Sequence, residues 1–461
     1  MTKKNKYQAY GPSNYREIPQ VQRLSEDQRF AIDVVARVLP FKTNNYVVEN
    51  LIDWSRAPDD PIFTLNFPKR EMLLPHHFEA MAKLVSGSAP REATERLAQR
   101  IRLQLNPHPA GQMEHNVPTI GGTRLPGMQH KYRETVLFFP SNGQTCHAYC
   151  TFCFRWPQFV GMDDLKFAAR ETDGLIKYLR RHPEVTDVLF TGGDPMTMRA
   201  RHLERYITPL LEADLPNLTS IRIGTKSLGY WPYRFVTDED AGEVLDLFRR
   251  ITGAGLHLAI MSHFNHPREL STGIAQEAVA RIRETGAEVR AQSPLMRGIN
   301  DDPAIWSEMW TEQVKLGCIP YYMFVARDTG AQHFFSVPLV RAWEIFREAY
   351  SHVSGLARTV RGPSMSAHPG KVEVTGVVEV KGVKVLNLRM LQARNPDWAY
   401  RPFFAQYDSE ATWLDDLRPA FGEDRFFFED GDREGAAAVL DRGRQIAAER
   451  LVAVGPDRFR G

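Results

Sequence analysis

From about residue 136 the chain alternates short apolar runs with amphipathic stretches at a steady interval. Candidate strands start near Val136 (VLFF), Asp187 (DVLF), Ile221 (IRIG), Leu256 (LHLAI), Glu288 (EVRAQ) and Pro320 (PYYMFV). These starts lie 51, 34, 35, 32 and 32 residues apart, and an interval above ~30 residues fits one strand plus one crossover helix. The stretches between them carry helical stripes. Val244, Leu245, Leu247, Phe248 and Ile251 fall on one face before the glycines of GAG (253–255) stop the pattern. Ala278, Val279 and Ile282 repeat the arrangement ahead of Gly286. Six such units predict a parallel α/β domain; periodicity alone leaves an open doubly wound sheet, a barrel and a partial barrel all available. The first interval is the longest, and its surplus directly follows the first strand, where parallel α/β folds carry their chemistry.

The flanks have a different texture. Residues 1–130 are rich in helix formers broken by Pro and Gly, as in LPHHFEAMAKLVSG and PREATERLAQRIRLQL, and predict a helical region packed on the α/β domain. In the segment KVEVTGVVEVKGVKVLNLRM the VxVxGVVxV alternation predicts a hairpin, and an aromatic, acidic run, PAFGEDRFFFEDGDRE, follows it. The expected layout is therefore 1–130, 131–365 and 366–461.

Composition narrows the class. Of 461 residues, 43% are hydrophobic and 25% charged, which is ordinary globular usage. Lysine plus arginine (58) nearly balances aspartate plus glutamate (56), so no global field gathers nucleic acid or an anionic membrane surface. No apolar run approaches the ~18 residues that span a bilayer. The start, MTKKNKYQAYGPSNYREIPQ, lacks the apolar core of a secretory signal, and four cysteines are too few for a disulfide scaffold. A cytoplasmic enzyme without nucleic-acid or membrane partners is the expectation.

Three of the four cysteines, Cys146, Cys150 and Cys153, form C-x3-C-x2-C in the long loop after the first strand. Three thiolates can hold three irons of a [4Fe–4S] cube and leave the fourth open to a chelating small molecule. A structural zinc site usually takes four ligands in paired spacing, and His147 could complete one only in constrained geometry. Zinc and plain reduced thiols stay open on spacing alone. Thr191-Gly192-Gly193-Asp194-Pro195 follows the second strand. Its glycines allow close backbone approach and its acid can accept from an ammonium, though alone it is an ordinary βα turn.

The cysteine spacing after the first of six βα units resembles the radical S-adenosylmethionine (radical SAM) superfamily. That resemblance implies a partial (β/α)6 barrel with a helical N-terminal region and a small C-terminal β-containing extension. It also implies a [4Fe–4S] cluster on the three cysteines, S-adenosylmethionine on the open iron, and a 5′-deoxyadenosyl radical. Gly192, Gly193 and Asp194 would meet the methionine amino group. Further blocks are similar to the lysine 2,3-aminomutase family in order: CTFCFR (150–155), FTGGDPM (190–196), RIGTKSLGYWPYR (222–234), SHFNHPRE (262–269), QSPLMRGIND (292–301), PYYMF (320–324) and, more loosely, SAHPGK (366–371). They span roughly residues 130 to 390.

The family resemblance implies pyridoxal phosphate as second cofactor and an amino group that moves from the α- to the β-carbon of an amino acid held as an external aldimine. Lys371 matches the Schiff-base lysine, although the family carries a longer glycine run before it. Arg155 matches the substrate-carboxylate arginine. His263, Asn265, Gln292 and Arg297 match S-adenosylmethionine contacts, with Asn300 and Asp301 fixing a loop. Lys131 or Arg133 stands where the family has paired arginines for the phosphate. A reducing donor of flavodoxin or ferredoxin type and a small amino-acid substrate are implied. A homo-oligomer is compatible, but not the family's zinc-linked one, because no cysteine follows Cys318, itself expected to be a small buried hydrophobe.

Lysine-specific members hold the distal ammonium with two aspartates. Here those positions fall on Arg327, or Asp328 with a one-residue gap, and on Ser364. A cation with a neutral partner suits an acidic or neutral side chain, glutamate foremost. The rival expectation is a radical SAM enzyme without pyridoxal phosphate, of epimerase, lyase or oxidase type. A non-enzyme, with the cluster serving electron transfer or structure, is a third.

Overall fold

The computed structural model describes residues 6–106, 116–160 and 167–429. An eleven-stranded sheet dominates it, with strands adjacent in chain order: β1 (Met128–Tyr132), β2 (Thr135–Phe138), β3 (Asp187–Phe190), β4 (Ser220–Thr225), β5 (His257–His263), β6 (Glu288–Leu295), β7 (Ile319–Val325), β8 (Arg361–Ser366), β9 (Gly370–Val380), β10 (Val383–Ala393) and β11 (Pro402–Gln406). Strands β2 to β8 pair in parallel, whereas β1 and β9 to β11 are antiparallel additions at the two ends.

Six helices provide the crossovers: α4 (Asp173–Arg181), α5 (Ala200–Glu212), α6 (Ala241–Gly253), α7 (Gly273–Arg283), α8 (Pro303–Lys315) and α9 (Leu339–Ser351). All six share one apolar core with the strands. The six expected strands begin within one residue of their observed positions. Cys318 joins that core, as anticipated.

Two observations separate a barrel from a doubly wound sheet. The strand order never reverses, whereas a doubly wound sheet switches direction at its ligand crevice. The parallel strands are also two-faced. In β4, Ile221 and Ile223 are buried against the helices while Ser220, Arg222 and Gly224 point the other way, and β6 alternates likewise through Val289 and Ala291 against Glu288, Arg290 and Gln292. A sheet covered by helices on both faces would be apolar on both. The polar face instead lines a lumen. Strand tilt brings the far ends together: Lys131 on β1 donates its ammonium to the carbonyl of Ala367, just past β8. The result is an open barrel of six βα units with a seventh parallel strand.

The expected hairpin is β9–β10. Its turn, Lys381-Gly382, takes positive φ at both residues (51° and 79°), the geometry that matches strand twist. With β11 it encloses a separate core around Leu386, Leu388 and Met390. The acidic end of the tail expected after it, and all of 430–461, lie outside the described residues.

The N-terminal region includes α1 (Glu26–Val35), α2 (Pro75–Ser86) and α3 (Arg91–Leu105), with much irregular chain between them. It packs on the ends of the strands that carry the long loops, sharing a core with Trp156, Trp231, Met296 and Phe335. Asp60 ties the two together. Its fully buried carboxylate caps the short helix Pro61–Asn66 through Phe63 N–H (2.9 Å) and accepts from Arg268 (2.6 Å), which follows β5. Among the described residues no helix is long and apolar enough to cross a membrane.

Replacing Asp60 by Ala removes a cap and leaves the Arg268 guanidinium without its acid, with only Leu51 O, among the described residues, still accepting from it. Because Arg268 keeps 25% of its side-chain surface, the expected cost is the lower end for a broken buried pair, about 3 kcal/mol, read as a lower denaturant midpoint at unchanged slope.

Candidate active site

The cysteine loop follows β2 and has little regular structure of its own, so its position is imposed from outside. Tyr149 N–H donates to Lys42 O (2.8 Å) and Thr151 N–H to Leu65 O (3.0 Å). Thr151 Oγ1 donates to Thr64 O (2.7 Å), Lys42 Nζ to Cys146 O (2.7 Å), and Tyr7 and Asn44 both donate to His147 O (2.7 and 3.2 Å). From the other side the Gly192-Gly193 turn presses on it. A Cβ on Gly193 would sit 2.4 Å from Thr145 O, and Asp194 N–H donates to that same carbonyl at 2.7 Å. Only glycine fits there.

The four cysteines are unbridged. Burial pushes the thiols of Cys146, Cys150 and Cys153 up, Cys150 to about 12, and in each pair at least one raises the other, so the three are electrostatic neighbours. Among the described residues no three His, Cys, Asp or Glu side chains converge on one ion, whereas a cube takes each thiolate on a different iron. Three free, enclosed thiols on one externally held loop fit a cluster. His147 is otherwise engaged: Nδ1 meets Ser227 Oγ (2.9 Å) and the ring packs on Trp231. Burial, aided by the Arg234 and Lys42 charges, lowers its pKa to about 3.

Asp194 is 3% exposed. Its carboxylate accepts from Thr225 Oγ1 (2.7 and 2.9 Å), Met196 N–H, Lys226 N–H and Ser227 Oγ–H, so it clamps the loops after β3 and β4 together. Asn265 is buried in a network with Lys226 (2.7 Å) and Ser293 (2.8 Å), and His263 meets Phe152 of the cysteine loop edge-on. Burial and the Lys226 charge keep His263 neutral. Gln292 is half-buried on β6, whereas Arg297 is exposed at the rim and gives its N–H to Phe335 O. Asn300 fixes that loop, accepting from Met296 N–H and donating to Asn265 O and Pro294 O.

Lys371 begins β9 and turns into the lumen. Its Nζ donates to Gln392 Oε1 (2.9 Å) and lies over the rings of Tyr322 (4.4 Å) and Tyr132 (5.6 Å). Desolvation, then the charges of Arg222, Arg361 and Arg327, outweigh Asp187 and bring its pKa down to about 7. Lys131 is also held well below its ordinary value, by burial and by Arg327, Arg394 and Lys371. Arg327 retains exposed surface, yet partial desolvation lowers its pKa too, against the opposing charge of Asp328. It stacks on Phe154 of the cysteine loop (4.9 Å) and thereby joins the thiol and lysine halves. Arg133, by contrast, is exposed in the β1–β2 turn beside Glu134 (3.7 Å). The buried polar atoms without a hydrogen-bond partner include Ser364 Oγ on β8, Tyr322 Oη on β7 and Arg155 Nε beside Cys153. Arg155 covers the Phe139 ring at 4.3 Å, and burial lowers its pKa to about 10.

No family model matches the chain. A protein of Aquifex aeolicus, provisionally named L-lysine 2,3-aminomutase, is 31% identical over 403 residues, 87% of this chain and 94% of its own length. The chain belongs to the lysine 2,3-aminomutase family. The L-lysine 2,3-aminomutase of Clostridium subterminale is 29% identical over 59% of the chain and 62% of its own length. That of Bacillus subtilis is 31% identical over 50% and 46%. Among solved structures, a radical SAM methyltransferase of Sphaerobacter thermophilus matches with TM-score 0.37 and 16% identity over 60% of the chain and 91% of its own. As a family member the protein is an enzyme, a radical SAM aminomutase of the isomerase class. Membership of the family implies a [4Fe–4S] cluster, S-adenosylmethionine and pyridoxal phosphate as its cofactors.

Several residues around this lumen escaped the sequence reading. Lys226, Tyr230 and Glu269 lie inside blocks noted for family likeness but carried no separate chemical signal. Lys42, Gln392 and Arg394 lie where composition shows only helix formers or a strand end.

A lysine near neutrality has a signature. Amine-directed labelling of Lys371, mapped by peptide mass, is expected to rise through pH ~7 and level off, while exposed lysines gain reactivity up to their ordinary range. Because the unfolded chain holds that proton up to its ordinary pKa and the folded chain releases it near 7, folding strengthens as pH rises between the two. Lys371→Met is therefore expected to raise the denaturant midpoint more at pH 6 than at pH 9.

Proposed function

We propose that this aminomutase moves the α-amino group of an acidic amino acid, glutamate foremost, to the β-carbon. The lumen carries the reading: two amines of depressed basicity, Lys371 and Lys131, in a chamber crowded with arginine, joined through Arg327 to the loop with three thiols.

Cys146, Cys150 and Cys153 would hold the cluster. Gly192, Gly193, Asp194, His263, Asn265 and Gln292 would border S-adenosylmethionine, with Arg297 at the rim. Lys371 would carry pyridoxal phosphate, with Lys131 and Arg394 facing its phosphate in preference to Arg133. When bound, these groups supply a carbon radical and an electron sink at the migrating nitrogen.

The chain's own residues do the rest. The neutral fraction of Lys371 near pH 7 makes it a nucleophile that a solvated lysine is not. Arg155, with a buried N–H still unpaired, suits the α-carboxylate. Arg327 and the unpaired Ser364 hydroxyl, on adjacent strand ends, suit a side-chain carboxylate. A lysine substrate would bring its ammonium to the Arg327 cation, which already engages the neighbouring Asp328, and to the neutral Ser364 in place of the family's second aspartate, which costs several kcal/mol. The N-terminal cap over the strand ends limits the water that reaches the radical.

Protein reconstituted anaerobically with iron, sulfide, pyridoxal phosphate and S-adenosylmethionine, then reduced, is offered the common amino acids and the products are separated by mass spectrometry. Glutamate is expected to give its β-amino isomer and lysine to remain unchanged. Preferred turnover of lysine, or no turnover of any amino acid by protein with an intact cluster and pyridoxal phosphate on Lys371, overturns the reading. Reversing the charge with Arg327→Asp is expected to lower kcat/KM for glutamate about 100-fold or more.

A further inference from the structure

Tyr230 ends a one-turn helix after β4 and is 1% exposed. Its phenolic oxygen lies 3.9 Å from Cys150 Sγ and 3.3 Å from Asn66 Nδ2. The Lys226 ammonium sits over its ring, 4.2 Å from the centroid, held there by Glu269 (2.6 Å) and Asn265 (2.7 Å). The placement is built rather than incidental: a Cβ on the preceding Gly229 would fall 2.4 Å from Glu269 Oε2. Only glycine lets this turn rest on the buried carboxylate and aim Tyr230 at the cysteine loop.

Proton counting fixes the direction of the contact. Asn66 Nδ2 can only donate, so the Tyr230 oxygen accepts there. The single phenolic hydrogen remains for another neighbour. A free Cys150 thiol could donate to Tyr230, but a thiolate ligand has no hydrogen, so with Cys150 on iron only Tyr230 can donate. Lys226 over the ring face draws electron density from the phenol and strengthens it as a donor. A hydrogen bond to a ligand sulfur stabilises the more negative, reduced cluster more than the oxidised one.

Resting on the reading that Cys150 ligates the cluster, we infer that Tyr230 is a tuning residue: its O–H donates to the Cys150 sulfur and makes the cluster easier to reduce. It acts through Cys150 and touches no reacting atom.

The test is an EPR-monitored redox titration of the reconstituted full chain without S-adenosylmethionine, comparing wild type with Tyr230→Phe, which keeps the ring and leaves Asn66 its bond to Ile62 O. With iron and sulfide content unchanged, the variant is expected to need a tenfold less favourable one-electron equilibrium, a midpoint about 59 mV more negative. In D2O, ENDOR of the reduced wild-type cluster should show an exchangeable deuteron coupling that the variant lacks. An unshifted midpoint with identical deuteron spectra overturns the inference and leaves the cluster assignment standing. Wild-type protein that forms no [4Fe–4S] cluster overturns both. Should Tyr230→Phe load poorly, Tyr230→Met removes the same donor with different packing, and the same sign of shift is required of it.

Discussion

A loop that carries three thiols side by side cannot hold itself, because its backbone groups have no helix or sheet in which to pair. Here they pair with the N-terminal region: Lys42 O and Leu65 O take N–H groups from the loop, while Tyr7, Lys42 and Asn44 bond its carbonyls. Much of the architecture follows from that constraint. The N-terminal segments must lie over the strand ends, Asp60 and Arg268 must anchor them, and Gly192-Gly193 must be bare enough to press from beneath. The three thiols are thereby left unbridged and enclosed.

The lumen imposes a second condition. An inner face carrying Arg222, Arg290, Arg361, Lys131 and Lys371 concentrates positive charge where water is scarce. Some of it is matched, Arg222 by Asp187 and Arg290 by Glu288. The surplus falls on Lys371 and Lys131, and amines yield where guanidiniums do not, since an ammonium can release its proton and arginine effectively cannot. Burial first, and then this excess of cations, depresses the basicity of Lys371, and the same excess suits the chamber to phosphate and carboxylate.

The thiol and lysine halves meet through aromatic surfaces. Phe154 under Arg327, Phe139 under Arg155 and Tyr230 under Lys226 each put a ring face against a cation. At Lys226 the ring adds to the ion pair with Glu269, whereas at Arg155 it holds the guanidinium while Nε stays without a partner.

Period and spacing determined much of this protein. The βα interval located six strands to within a residue, the VxVxGVVxV alternation marked the hairpin, and the surplus after the first strand located the cysteine loop, because each rests on local geometry repeated along the chain. The seventh parallel strand, Arg361–Ser366, escaped notice since its Gly-Pro-Ser centre has neither alternation nor an apolar run. Barrel or open sheet was likewise undecidable, because it depends on how strand tilt accumulates until Lys131 meets Ala367. Lys131 and Arg133 were equal candidates in sequence; only the end of β1 between them sends one into the lumen and the other to solvent. The depressed basicity of Lys371 and the clamp on the cysteines are sums over residues hundreds of positions apart, and those distances exist only once the sheet has curled.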